Sequence, residues 1–164
     1  MRTGVRLGVD VGSVRVGVAR SDPSGMLATP VQTLARDQAS TQDVDELVRI
    51  VQEYDVLEVI VGLPRGLSGQ EGTAAAAARG YADLVARRVA PVPVRLVDER
   101  LSTVTATRAL REAGVRGRRH RPVVDQAAAV VILQSALDAE RASGRAPGLL
   151  VDPGPASEVP ASQE

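Results

Sequence analysis

Four acidic positions in this 164-residue chain stand in or at the ends of apolar segments, where a carboxylate could do chemistry or, at a strand or helix end, simply face a helix dipole. Asp10 lies inside VRLGVDV (5–11), an apolar, β-branched run that reads as a strand. Strand parity groups it with Gly8 and Gly12, while Val5, Leu7, Val9 and Val11 take the other face. A carboxylate in a central strand is costly unless a cation or hydrogen bonds compensate it; bonding to the backbone of the following turn is the plain alternative. Asp98 and Glu99 end PVPVRLVDE, and adjacent strand residues point to opposite faces. Only one can join Asp10, and parity leaves open which. Asp125 falls on the apolar stripe of a helix, with Ala128 and Ala129 three and four residues on, although an N-cap would use an Asp equally well. Three acids converging from separate elements would bind hard divalent cations through oxygen. Two such ions, Mg²⁺ or Mn²⁺, can activate a water and stabilise the leaving oxygen in phosphodiester hydrolysis.

Composition removes the competing chemistries. All 20 basic residues are Arg, Lys and Cys are absent, and His120 is the single histidine. Without Lys there is no Schiff base and no P-loop lysine. Without Cys there is no thiolate nucleophile, cysteine zinc site or disulfide, and one His excludes multi-histidine metal sites. Carboxylates, hydroxyls, Arg and backbone remain. Tyr54 and Tyr81 are the only aromatics, too few for a series of base-stacking platforms. The N-terminus lacks the apolar stretch of a signal peptide, and the longest apolar run (127–133) is too short for a membrane span. The expectation is a soluble cytoplasmic protein that is not membrane-bound.

Twenty acids balance the 20 Arg, yet the charges are segregated. Residues 37–58 hold seven acids and one Arg, whereas residues 100–121 hold seven Arg and one Glu. Arg100, Arg116, Arg118, Arg119 and Arg121 are therefore candidates for contact with a phosphate backbone, against the alternative of a solvated Arg-rich surface. GLPRGLSGQEG (62–72) resembles a phosphate cradle carrying Arg65, or a glycine-rich loop that simply opens a helix; lacking Lys, it is no Walker A motif. His120 reads as a solvated side chain, five residues before Asp125, that could assist product release.

The elements that must position these residues follow from pattern. VRLGVDV, VRVGVAR (14–20) and MLATPVQTL (26–34), separated by turn signals, read as an antiparallel meander. Residues 41–54 show helical spacing at Val44, Leu47, Val48 and Val51, with Thr41 as cap. VLEVIVG (56–62) is a buried strand, 73–90 a helix, and PVPVRLV (91–97) a strand whose prolines suggest an edge or a start. A helix capped by Ser102 or Thr103 ends at Gly114, and 125–142 form the last helix. The sum is an α/β fold with a mixed five-stranded sheet flanked by helices, one domain over 1–143, and an acidic, Pro-rich disordered tail over 144–164.

LGVDVGSVRVGVARSD (7–22), VIVGLPRGLSGQEG (59–72), VDERLSTVTA (97–106) and VDQAAAVVILQSALD (124–138) together resemble the YqgF/RuvX family of bacterial RNase H-like nucleases, in family order and spacing. That resemblance implies a ribonuclease H-like fold and an acidic metal-binding triad of Asp10, Glu99 and Asp125, choosing Glu99 over Asp98. It implies hydrolysis of phosphodiester bonds with Mg²⁺ or Mn²⁺, two ions in all, during 5′-end processing of pre-16S rRNA. Some members have been considered Holliday junction resolvases, so branched DNA is the alternative substrate and would need two active sites, hence a homodimer rather than a monomer. A non-catalytic module binding ribosomal RNA is the third reading. DVGSVRVGVA also resembles the phosphate motif of actin-like ATPases, but those need two such domains around the nucleotide. The family's loop before the last Asp is usually Lys-rich; here it is Arg-only, which keeps phosphate contact and adds forked hydrogen bonding.

Overall fold

A computed structural model describes residues 1–65, 70–99 and 121–154, the side chains of 121–124 excepted. Arg100, Arg116, Arg118, Arg119, His120, the side chain of Arg121, the helix expected to end at Gly114 and the chain from 155 onward lie outside the described residues.

Alternating apolar residues build the sheet first. β1 (Arg6–Val11), β2 (Arg15–Ser21) and β3 (Ala28–Ala35) form the antiparallel meander that the turn signals predict. α1 (Gln42–Glu53), β4 (Glu58–Leu63), α2 (Thr73–Val89), β5 (Val94–Asp98), α3 (Arg121–Ser143) and β6 (Leu149–Leu150) follow. The sheet order is β3-β2-β1-β4-β5-β6. β4 runs parallel to both β1 and β5, and β6 closes antiparallel on β5. The sheet thus has six strands rather than the expected five. The sixth comes from residues assigned above to a disordered tail: the Val151 amide donates to the Val94 carbonyl at 2.8 Å and the Val151 side chain is buried. Two strand residues between Gly148 and Pro153 are too few to show a period, so no pattern announces them.

Period-2 alternation divides the sheet into two faces. Leu7 and Val9 of β1, Val16 and Val18 of β2, and Val59 and Val61 of β4 pack with α1 and α2 in the larger core. Ala19 and Ile60, on the other face, meet Ala129, Ile132, Leu133 and Ala136 of α3. α1 buries Val44, Leu47, Ile50 and Val51, the face its spacing predicts. Thr41 does precede α1, but in the left-handed conformation (φ 56°) and with no side-chain bond to the helix; the first-turn acids Asp43 and Asp45 complement the helix dipole instead. The prolines near β5 lie before it, so they mark its start.

The end of the sheet where β1 and β4 begin is tied by buried charge. Glu58, fully buried, accepts from Arg95 Nε at 2.8 Å and from Arg2 Nη1 and Nη2 at 3.1 and 3.2 Å. Glu140 near the end of α3 accepts from Arg2 Nε at 2.8 Å and faces buried Arg6 at 3.5 Å. This network fixes the far end of α3 on the sheet and leaves its beginning over the opposite end, where Asp10 lies. No helix among the described residues is long and apolar enough to cross a membrane.

Candidate functional site

Asp10 stands near the carboxyl end of β1 on the face that carries α3, in the parity the sequence predicts. Its Cα partner on β2 is Gly17. On the other side, Gly62 of β4 follows Val61, the partner of Val9. Asp10 is therefore flanked by glycines on both neighbouring strands. A Cβ at Gly17 would lie 2.0 Å from the Asp125 carbonyl oxygen, so only glycine lets that turn of α3 settle on the sheet. A Cβ at Gly62 would lie 2.5 Å from Glu99 Oε1 and 2.6 Å from Ile132 Cδ1. The missing side chains admit two acids to the space beside Asp10.

Strand parity, open between Asp98 and Glu99 in the sequence, is closed by packing. Val97 packs with the α3 core and Leu96 with the other, so Glu99 continues the α3 face. Asp98 lies within 4.0 Å of Arg65 Nε, an ion pair too long for a hydrogen bond, and that nitrogen is buried without one.

Burial and neighbouring negative charge act on the acids together. Burial, and then the negative charge of Asp125, push the Asp10 carboxyl up to about 6. Burial, then Asp10 and Asp98, push Glu99 up to about 7. For both, loss of water around the carboxyl is the larger cause, and it penalises the ionised form.

Asp125 is placed differently. α3 begins at Arg121, so Asp125 sits one turn inside the helix and does not cap it. Its Oδ2 accepts from Arg15 Nε at 2.9 Å. Arg15 is the site residue that sequence reasoning missed, although a signal existed: it shares strand parity with Gly17, the partner of Asp10. The hairpin carrying Asp10 and Arg15 is held by the Gly12 amide donating to the Arg15 carbonyl at 2.9 Å and by Arg36 Nη1 donating to the Gly12 carbonyl at 3.0 Å. Gln126 Nε2 donates to Thr33 Oγ1 at 3.0 Å and fixes the same turn of α3 across β3.

A divalent cation suits this donor set in part as it stands. The ligands on offer are all carboxylate oxygens, the chemistry of hard cations, and a cation would relieve the repulsion that raises Asp10 and Glu99. Among the described residues, however, no group of three acids is gathered closely enough to hold a metal, which agrees with Asp125 being engaged by Arg15. The expected phosphate contacts divide similarly. Arg65 stands beside Asp98 at the same end of the sheet, while the other candidate Arg residues lie outside the described side chains.

Comparison with known proteins adds an independent line. A family model described as "RuvX: Holliday junction resolvase" matches residues 4–139. A protein of Frankia casuarinae is 60% identical over 153 residues, covering 93% of this chain and 75% of its own length. One from a Nocardioides species is 57% identical over 154 residues, covering 93% of this chain and 99% of its own length. Both carry the provisional name pre-16S rRNA nuclease. Among solved structures, Thermus thermophilus RuvC in complex with a Holliday junction substrate matches with a TM-score of 0.59 over 90% of this chain and 99% of that one. At 14% identity that match speaks for the fold alone.

Proposed function

This chain belongs to the RuvX family, and from that premise we propose that it is a metal-dependent nuclease that hydrolyses phosphodiester bonds in the 5′-end processing of pre-16S rRNA. The observation that carries the reading is the pair of half-buried acids, Asp10 and Glu99, set on one sheet face beside Gly62 and pushed up to about 6 and about 7. Acids held against a neighbour's negative charge lower stability, and a cation bound among them would offset that repulsion.

Asp10, Glu99 and Asp125 are the residues that would hold Mg²⁺ or Mn²⁺, two ions on the sequence reading. Bound there, the metal supplies an activated water and a counter-charge for the leaving oxygen. The chain's own part is positional. β1 and the residue just past β5 present two carboxylates at one end of the sheet, and α3 brings Asp125 alongside by resting its backbone on Gly17. Arg65 and the charge of the Arg-rich stretch 100–121 bind the phosphate backbone. Such contacts are independent of base identity, which suits a substrate recognised by shape. The protein works in the cytoplasm, where precursor ribosomal RNA is found.

One observation favours a second substrate: the matching family model is described as a Holliday junction resolvase. Resolution of a four-way DNA junction needs two paired cuts and therefore a homodimer. The test is cleavage of a 5′-extended pre-16S rRNA fragment and a four-way junction, side by side, by one preparation with Mn²⁺. Shortening of the RNA with the junction intact supports the proposal. Paired cuts in the junction with intact RNA replace it by the resolvase reading, and binding without any cleavage leaves only the non-catalytic module.

A further inference from the structure

The Arg15–Asp125 pair has no part in the proposed chemistry, and it stands where that chemistry would need a free carboxylate. Resting on the metal-nuclease reading, we infer that Arg15 is a positioning residue that competes with the divalent cation for Asp125, so that loading the site breaks the Arg15–Asp125 pair.

The geometry points this way on three counts. First, the Asp125 carboxylate has a guanidinium against it, at 2.9 Å, and its negative charge is also one of the causes that push Asp10 up. With Asp125 so engaged, no group of three acids among the described residues is gathered closely enough to hold a metal. A cation at Asp10 and Asp125 would place its charge beside that of Arg15, and the two would repel.

Second, the pair is built to exchange. Its side chains are 29% and 24% exposed, within reach of water, so breaking it costs little. The buried Glu58 cluster at the other end of the sheet is the contrast: its acid is wholly enclosed, and breaking it would leave an uncompensated charge.

Third, both backbones are fixed while both side chains can turn. The Arg15 carbonyl is bonded to the hairpin amide of Gly12, and the Asp125 backbone rests on Gly17. Rotation about side-chain bonds alone would move the Asp125 carboxylate from Arg15 toward Asp10. Arg15 thereby sets the cation concentration at which the site assembles.

The experiment is a Mn²⁺ titration, read by electron paramagnetic resonance and calorimetry, of the full chain and of Arg15→Gln, with no nucleic acid present. The expected result is Mn²⁺ binding about threefold to fivefold tighter in Arg15→Gln, the fold-change of a part-exposed ion pair removed from competition. In an Asp125→Asn background the same substitution should give no gain, because the carboxylate in dispute is gone. Equal or weaker Mn²⁺ binding in Arg15→Gln overturns the inference, as does a gain that persists with Asp125→Asn, which would be a general effect of charge. Arg15→Met, which keeps the apolar stem, answers the same question if Arg15→Gln does not fold. Absence of Mn²⁺ binding in the wild-type chain would overturn the metal-nuclease reading itself, and this inference with it.

Discussion

Glu99 Oε1 lies 2.5 Å from the point where a β-carbon on Gly62 would stand. A residue with no side chain, on a strand wholly buried, is thus what admits the carboxylate of the residue just past the neighbouring strand to the space beside Asp10. The same point is 2.6 Å from Ile132 of α3, so Gly62 also sets how closely the helix lies on the sheet.

Gly62→Ala should accordingly act twice. The methyl group must displace Glu99 and push on Ile132, an overpacking cost of about 1–3 kcal/mol. Thermal unfolding should show the loss of stability and a cleavage assay a loss of activity beyond it. Glu99→Gln, which relieves charge without adding volume, should abolish cleavage while leaving the melting temperature equal or higher.

The raised acids make stability depend on pH in a definite direction. For Asp10 the folded value, about 6, exceeds the ordinary 3.8, so between these the folded chain binds more protons than the unfolded one. Stability contributed by the protonated carboxyl is full below pH 3.8 and is lost as pH rises through 6. In metal-free protein, Asp10→Asn should therefore be the more stable chain at pH 8, by at most about 3 kcal/mol, and no more stable at pH 3.5. Melting curves in a chelator across that range check this. Added Mn²⁺ at pH 8 should raise the wild-type melting temperature and not that of the variant.

Glu58→Gln probes the opposite end. It removes the acid that Arg2 and Arg95 share in a fully buried position and leaves Arg95 without its partner. Denaturant unfolding should show a loss of about 3 kcal/mol. Cleavage per folded molecule should be unchanged, because the site lies at the far end of β1 and β4.

Binding should be local and electrostatic. Replacing Arg116, Arg118, Arg119 and Arg121 together by Gln should weaken RNA binding and lower the log–log salt slope by about 3, as four lost phosphate contacts predict. An unchanged slope would place the phosphate contacts elsewhere.

Much of this arrangement is legible in the sequence because strands alternate. The face of Asp10, the meander and the elements α1, β4, α2, β5 and α3 around it follow from period-2 and helical spacing. Three things are not legible, each for its own reason. Asp98 and Glu99 are equivalent until packing says which face of β5 meets α3. β6 is two residues long, below the length at which any period shows, and it forms only because β5 offers an open edge. Arg15 reads as one polar position in an alternating strand, and its partner is 110 residues away on a helix. A glycine-flanked Asp, by contrast, carried its own signal: small neighbours on the same face are what let other elements approach.

The central claim is that Asp10 and its neighbouring carboxylates perform hydrolysis, and it is tested most directly by cleavage of a 5′-extended pre-16S rRNA fragment with Mn²⁺ by the wild-type chain and by Asp10→Asn. The account predicts a shortened 5′ end with wild type, and a loss of about 100-fold or more with Asp10→Asn at unchanged RNA binding. Cleavage by Asp10→Asn at the wild-type rate would contradict it.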